Sequence, residues 1–156
     1  MNTLEDFRNW AAQMRRRSFR QFELQGSTPA GWHVLLPGGD FGFLDVTVPA
    51  TADAHAILVQ EARDYMREMR VSACVFAMER ELLDGRPVLY FQFEACDRRG
   101  KRERSRHLHR IVSERESRHV DDLHELTPEH ERDADLLQFG LFPDLLPEPP
   151  SPLRIL

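Results

Sequence analysis

The sequence predicts an α+β fold: helix, hairpin, helix, then a three-stranded antiparallel meander, with both helices on one face of the sheet. Three observations carry this expectation. Two stretches repeat apolar residues at helical spacing. The segments between and after them alternate or run apolar over strand lengths. The strongest turn dipeptide, Asp84-Gly85, sits between two such runs.

The first helix is expected over about Thr3 to Leu24. Leu4, Phe7, Ala11, Met14 and Ser18 fall on one stripe, with Trp10 and Phe22 beside it. Thr3 and Asp6 have the spacing of a capping box. Glu5 and Asp6 open the helix, and Arg15, Arg16, Arg17 and Arg20 lie toward its end, as the helix dipole favours. Gly26 to Pro29 break it. Trp32–Leu36 and Phe41–Val48 read as strands around the turn Pro37-Gly38-Gly39-Asp40, and Pro49 closes the second. A second helix is expected over about Ala52 to Arg70. Its stripe is Ala54, Ile57, Leu58, Ala62, Tyr65, Met66 and Met69, interrupted by Glu61.

Val71–Leu83 and Arg86–Cys96 flank Asp84-Gly85 and predict a hairpin. A two-residue loop would set Phe76 opposite Phe93, Met78 opposite Phe91 and Arg80 opposite Leu89. Phe76, Met78, Phe91 and Phe93 would then be buried together beneath the two helices. Cys74 and Cys96 would lie on opposite faces, out of reach of a disulfide. Asp97 to Gly100 has type I turn chemistry. The strand after it, about Arg104 to Val112, splits its apolar residues between faces and is expected at the sheet edge. This organisation gives an α+β domain over 1–112 and a polar, partly helical segment over 113–135, with Val120, Leu123 and Leu126 as a thin stripe. An apolar, proline-rich tail follows over 136–156.

Composition narrows the functional classes. A net charge of -5 argues against whole-surface attraction to nucleic acid or anionic membrane. The N-terminus is acidic first and basic later, the reverse of a secretory signal. No apolar run approaches the ~20 residues of a membrane span. Two cysteines form neither a CxxC pair nor a disulfide framework. A cytoplasmic protein is expected. Lys101 is the one lysine among 21 basic residues, a bias that physics does not require and that codon usage in a GC-rich bacterium or its phage would produce.

Several constellations are candidates for chemistry. His107 and His109 share a strand face at i, i+2, a geometry open to a metal, with His119, Asp122, His124 and His130 downstream. Their spacing matches no zinc pattern. Asp45, Asp84, Glu94 and Glu103 lack the Glu-x-Lys of a restriction-type nuclease. Ser72 and Ser105 sit in no nucleophile elbow. Gly38, Gly39 and Gly42 precede no helix and make no phosphate cradle. No catalytic residue, metal or cofactor is expected. Arg98, Arg99, Arg102, Arg104, Arg106 and Arg110 form a basic ridge, suited to nucleic-acid phosphates or an acidic protein face.

The most specific pattern is Gln138-Phe139-Gly140-Leu141-Phe142. It resembles the pentapeptide with which bacterial DNA polymerases and mismatch-repair proteins bind the replication sliding clamp. Gln138, Leu141 and Phe142 match directly, and Phe139 stands where Leu is usual. The resemblance covers five residues and implies a partner, not a fold. Leu141 and Phe142 would anchor in one apolar pocket, Phe139 in a shallower one, and Gln138 would set register. The expected function is therefore non-enzymatic binding of a macromolecule, with the sliding clamp as candidate partner. Two alternatives are a phage or mobile-element inhibitor of a host defence complex, and a metal-dependent enzyme using His107 and His109.

Overall fold

A computed structural model of the chain describes residues 2–47, 49–82, 84–126 and 142–147. Helix α1 spans Leu4–Gln25 and helix α2 spans Ala52–Glu68. The strands are β1 (Gly31–Leu35), β2 (Phe41–Asp45), β3 (Ala73–Glu81), β4 (Pro87–Cys96), β5 (Arg102–Glu114) and β6 (Ser117–Leu126). All six pair antiparallel in one sheet of order β2-β1-β3-β4-β5-β6. The class is α+β, but the expected arrangement is corrected. The first hairpin does not stand apart from a three-stranded meander, because β1 pairs with β3 and joins everything into a single sheet.

Local chemistry explains the helix ends. Thr3 Oγ1 accepts the Asp6 N–H at 3.1 Å, and the Asp6 carboxylate accepts the Thr3 N–H at 3.2 Å, which completes the capping box. Gly26 ends α1 with φ at 74°, a left-handed cap suited to glycine. Thr51 caps α2 by accepting the Ala54 N–H.

The hairpin register differs from the expected one by a single residue. Leu82 N donates to Arg86 O at 2.9 Å and Gly85 N to Leu82 O at 2.8 Å, so the loop holds three residues, with Gly85 left-handed at its end. Phe76 therefore faces Gln92, and Met78 faces Tyr90. Phe91 and Phe93 move to the opposite face from Phe76 and Met78. Cys74 and Cys96 share one face, both buried and free. The pattern could not decide between the registers because β3 and β4 are buried on both sides, so neither face is marked by exposure to solvent.

Burial on both sides follows from the helices, which cover opposite faces rather than one. On the first face, Phe7, Trp10, Met14 and Phe22 of α1 pack on Val75, Leu89, Phe91 and Phe93. On the second, Val59, Ala62 and Met66 of α2 pack with Trp32, Phe76, Met78 and Tyr90, and Phe142, Leu145 and Leu146 complete that cluster.

β5 is an interior strand, not an edge, because β6 pairs with it. Val120, Leu123 and Leu126 suggested helical spacing, and no Gly, Asn or Asp marks the turn before them. Arg115 adopts the left-handed φ of 55° there, which costs a non-glycine residue about 1–2 kcal/mol. The sheet curls around α1. Arg118 of β6 donates to Gly26 O at 2.9 Å and reaches Glu79 of β3 at 3.2 Å. No helix among the described residues is long and apolar enough to cross a membrane.

Candidate functional site

Two surfaces have the construction of recognition sites. The first is a socket on the α2 face, filled by residues 142–146. Its floor is polar where a core would be apolar: Gln92 is 5% exposed and Glu94 2% exposed, side by side on β4. Their placement follows from the register, which turns Tyr90, Gln92 and Glu94 to the face opposite α1.

Each polar group is spent on the main chain of the tail. Gln92 Nε2 donates to Phe142 O at 2.8 Å, and its Oε1 accepts the Phe142 N–H at 3.0 Å. That pair reproduces with a side-chain amide the two bonds a neighbouring strand would give. Tyr90 Oη also donates to Gln92 Oε1, at 3.1 Å. Glu94 accepts the amides of Leu145 and Leu146, each at 3.0 Å. Cations take the carbonyls: Arg102 holds Leu146 O at 2.8 Å, Arg63 holds Asp144 O at 3.0 Å, and Arg104 holds Phe142 O. Arg104 also pairs with the Asp144 carboxylate at 3.3 Å, and Arg102 with Glu94 at 3.4 Å.

Apolar anchoring accompanies this grip. The Phe142 ring lies 4.8 Å from Trp32, 4.8 Å from Phe76 and 5.4 Å from a stacked His55. Burial raises the Glu94 pKa, against the lowering effect of the two amides it accepts, and the nearby Asp144 carboxylate raises it further. Burial also raises the Tyr90 hydroxyl, so it stays a donor.

The second surface is open. A groove of about 610 Å³ runs between the end of α1 and β2. β2 is the last strand of the sheet, paired only with β1 among the described residues. Leu24 is 80% exposed, Phe41 48% and Phe43 42%, and all three line this groove. Gly31 sets the position of Phe43: a Cβ there would lie 2.6 Å from the Phe43 ring and 2.3 Å from Leu44 O, so the ring lies down over the glycine. Arg17 stacks 5.0 Å above Phe41. Arg17 and Arg20 line the groove, and among the described residues no carboxylate does. His33, on the groove wall, is held to a pKa of about 4 by burial and by the Arg17 charge. Its Nε2 lies 3.3 Å from Ser18 Oγ.

The expected site residues fall out differently. Gln138, Phe139 and Leu141 lie outside the described residues, whereas Phe142 is buried in the socket. The basic ridge is divided. Arg98 and Arg99 are exposed in the turn before β5. Arg102, Arg104, Arg106 and Arg110 alternate along one face of β5, and the first two are committed to the tail.

His107 and His109 share the α1 face without converging on a metal. His107 Nδ1 lies 2.5 Å from Glu125 Oε1, and His109 packs between Phe19 and Phe91. Among the described residues, no group of three or more His, Cys, Asp or Glu is placed to hold one ion. Ser105 Oγ lies 3.1 Å from His107 Nε2, which completes a carboxylate–imidazole–hydroxyl line. Ser117 and His119 repeat the Ser-x-His contact at 3.0 Å on β6, so the contact follows from strand geometry, and Glu125 at 43% exposure is open to water. Burial pushes the Cys74 thiol well up, which leaves it inert.

Sequence reading missed Gln92 and Glu94 as the groups that hold the tail. Their signal was present: two polar residues, two apart, inside the apolar run VLYFQFEAC. No family model matches the chain, and comparison with curated proteins and with solved structures finds no significant match.

Proposed function

We propose that the protein acts by binding another protein, and that the groove beside β2 is where the partner docks. The observation that carries this reading is an edge strand with no second neighbour among the described residues, and with Phe41 and Phe43 exposed beside Arg17 and Arg20. A free edge offers N–H and C=O groups to an extended peptide, and apolar side chains beside it select what lies above. The cationic lining favours a partner segment that mixes apolar and acidic residues. Two free, buried cysteines suit a reducing compartment, the cytoplasm of a bacterium or of a phage-infected cell.

The sliding clamp remains a second partner, favoured by the resemblance of Gln138–Phe142. That use competes with the fold, because Phe142 cannot fill the socket and a clamp pocket at once. Clamp affinity would be reduced by the cost of undocking the tail.

Capture from a bacterial lysate separates the readings. A partner retained by wild type and by Phe142→Ala, and lost with the pair Leu24→Ser and Phe41→Ser, supports the groove. Binding of purified clamp that survives the groove pair and is lost with Phe142→Ala supports the tail. A partner set indifferent to the groove pair contradicts the groove reading.

A further inference from the structure

We infer that the socket floored by Gln92 and Glu94 is a sequence-reading peptide site that a second copy of this chain can fill, each chain lending residues 142–146 to the other. The inference is independent of the β2 groove. It starts from how the segment is held. Residues 142–146 form no helix and add no strand, and side chains of α2, β4 and β5 make their main-chain hydrogen bonds. A segment fixed in this way is a ligand in form: an irregular peptide with a bend at Leu146, read at both N–H and C=O, with one aromatic and two leucine anchors.

The socket selects chemistry at each position. The Trp32, Phe76 and His55 rings require an aromatic group at 142. Arg104 favours the acid at 144. Glu94 needs two successive free amides, those of Leu145 and Leu146, and so excludes proline there. Pro143 is tolerated because no described hydrogen bond uses position 143. The pattern is aromatic–x–acidic–Leu–Leu, and a second copy carries it by identity.

Reach permits the exchange. Fifteen residues separate Leu126 from Phe142. Extended, they span up to ~50 Å, whereas six strands about 4.8 Å apart make a sheet only ~25 Å wide. The chain's own tail competes at an effective concentration on the order of millimolar, so the closed monomer dominates in dilute solution and exchange emerges on concentration.

The test uses the full chain with a protease site replacing residues 130–136, cut after folding. The inference expects the cut tail to stay bound. It expects the tail to exchange with a fluorescent copy of residues 137–156 at least tenfold faster than the protein unfolds, and a copy carrying Phe142→Ala to fail. It also expects uncut wild type, brought to about millimolar concentration, to give a dimer fraction that uncut Phe142→Ala lacks. A cut chain that unfolds overturns the inference, as does a tail that exchanges only at the unfolding rate, or wild type that stays monomeric throughout.

Discussion

The two faces of the sheet are sealed by different means. On the α1 face, a helix brings its own backbone hydrogen bonds, so the sheet need offer only apolar surface: Val75, Leu89, Phe91 and Phe93. On the α2 face, part of the cover is an irregular segment whose N–H and C=O groups are not paired within it. An unpaired buried peptide group is costly, and the sheet meets that cost with Gln92, Glu94, Arg102 and Arg104. Buried polar residues on one face of an otherwise apolar strand thus record what kind of element covers it.

The largest expected effect is at Phe142. If the segment belongs to the core, Phe142→Ala should cost about 3–5 kcal/mol, as much as Phe91→Ala on the α1 face. Urea unfolding of both variants checks this, and a near-neutral Phe142→Ala would break the parallel. Next is the polar floor. Gln92→Leu leaves the Phe142 N–H without its acceptor and should cost about 1–3 kcal/mol. A volume-conserving Leu89→Met on the apolar face should cost less than about 1.5 kcal/mol. Equal losses would mean that the floor contributes shape rather than hydrogen bonding.

Acid should act through the groove wall. The folded pKa of His33, about 4, lies below its ordinary value of 6.5, so unfolding takes up a proton as pH falls between those values. Its contribution to stability is present above pH 6.5 and is lost as pH drops toward 4. Melting curves of His33→Gln should be flatter across that window than those of wild type. The smallest effect is expected at the open surface. Leu24→Ser and Phe41→Ser should each change stability by less than about 0.5 kcal/mol, because both side chains already meet water.

Legibility in sequence divides along the same line. Elements with local chemistry could be read: Thr3 and Asp6 at the start of α1, Gly26 at its end, and the turn at Asp97, whose carboxylate accepts the Arg99 and Lys101 amides. What depended on both faces could not. β4 is buried on each side, so exposure to solvent could not fix its register, and the loop after Leu82 holds one residue more than Asp-Gly suggested. β6 was hidden by polar composition and by an arginine in a glycine-like turn conformation. Of the site residues, Phe142 was singled out as an anchor for a sliding clamp in an exposed tail, whereas the structure buries it in a pocket of the chain's own, built with Gln92 and Trp32. Their role depends on which residues the sheet turns to one face.

The most direct measurement is amide hydrogen exchange at Phe142, Leu145 and Leu146. Each of these amides donates to a buried side chain of β4. They should therefore be protected far beyond exposed peptide groups and should approach the protection of the central strands β3 and β4. Exchange at the rate of an unstructured peptide, with β3 and β4 still protected, would contradict the account. It would leave Gln92 and Glu94 without the tail amides that they accept.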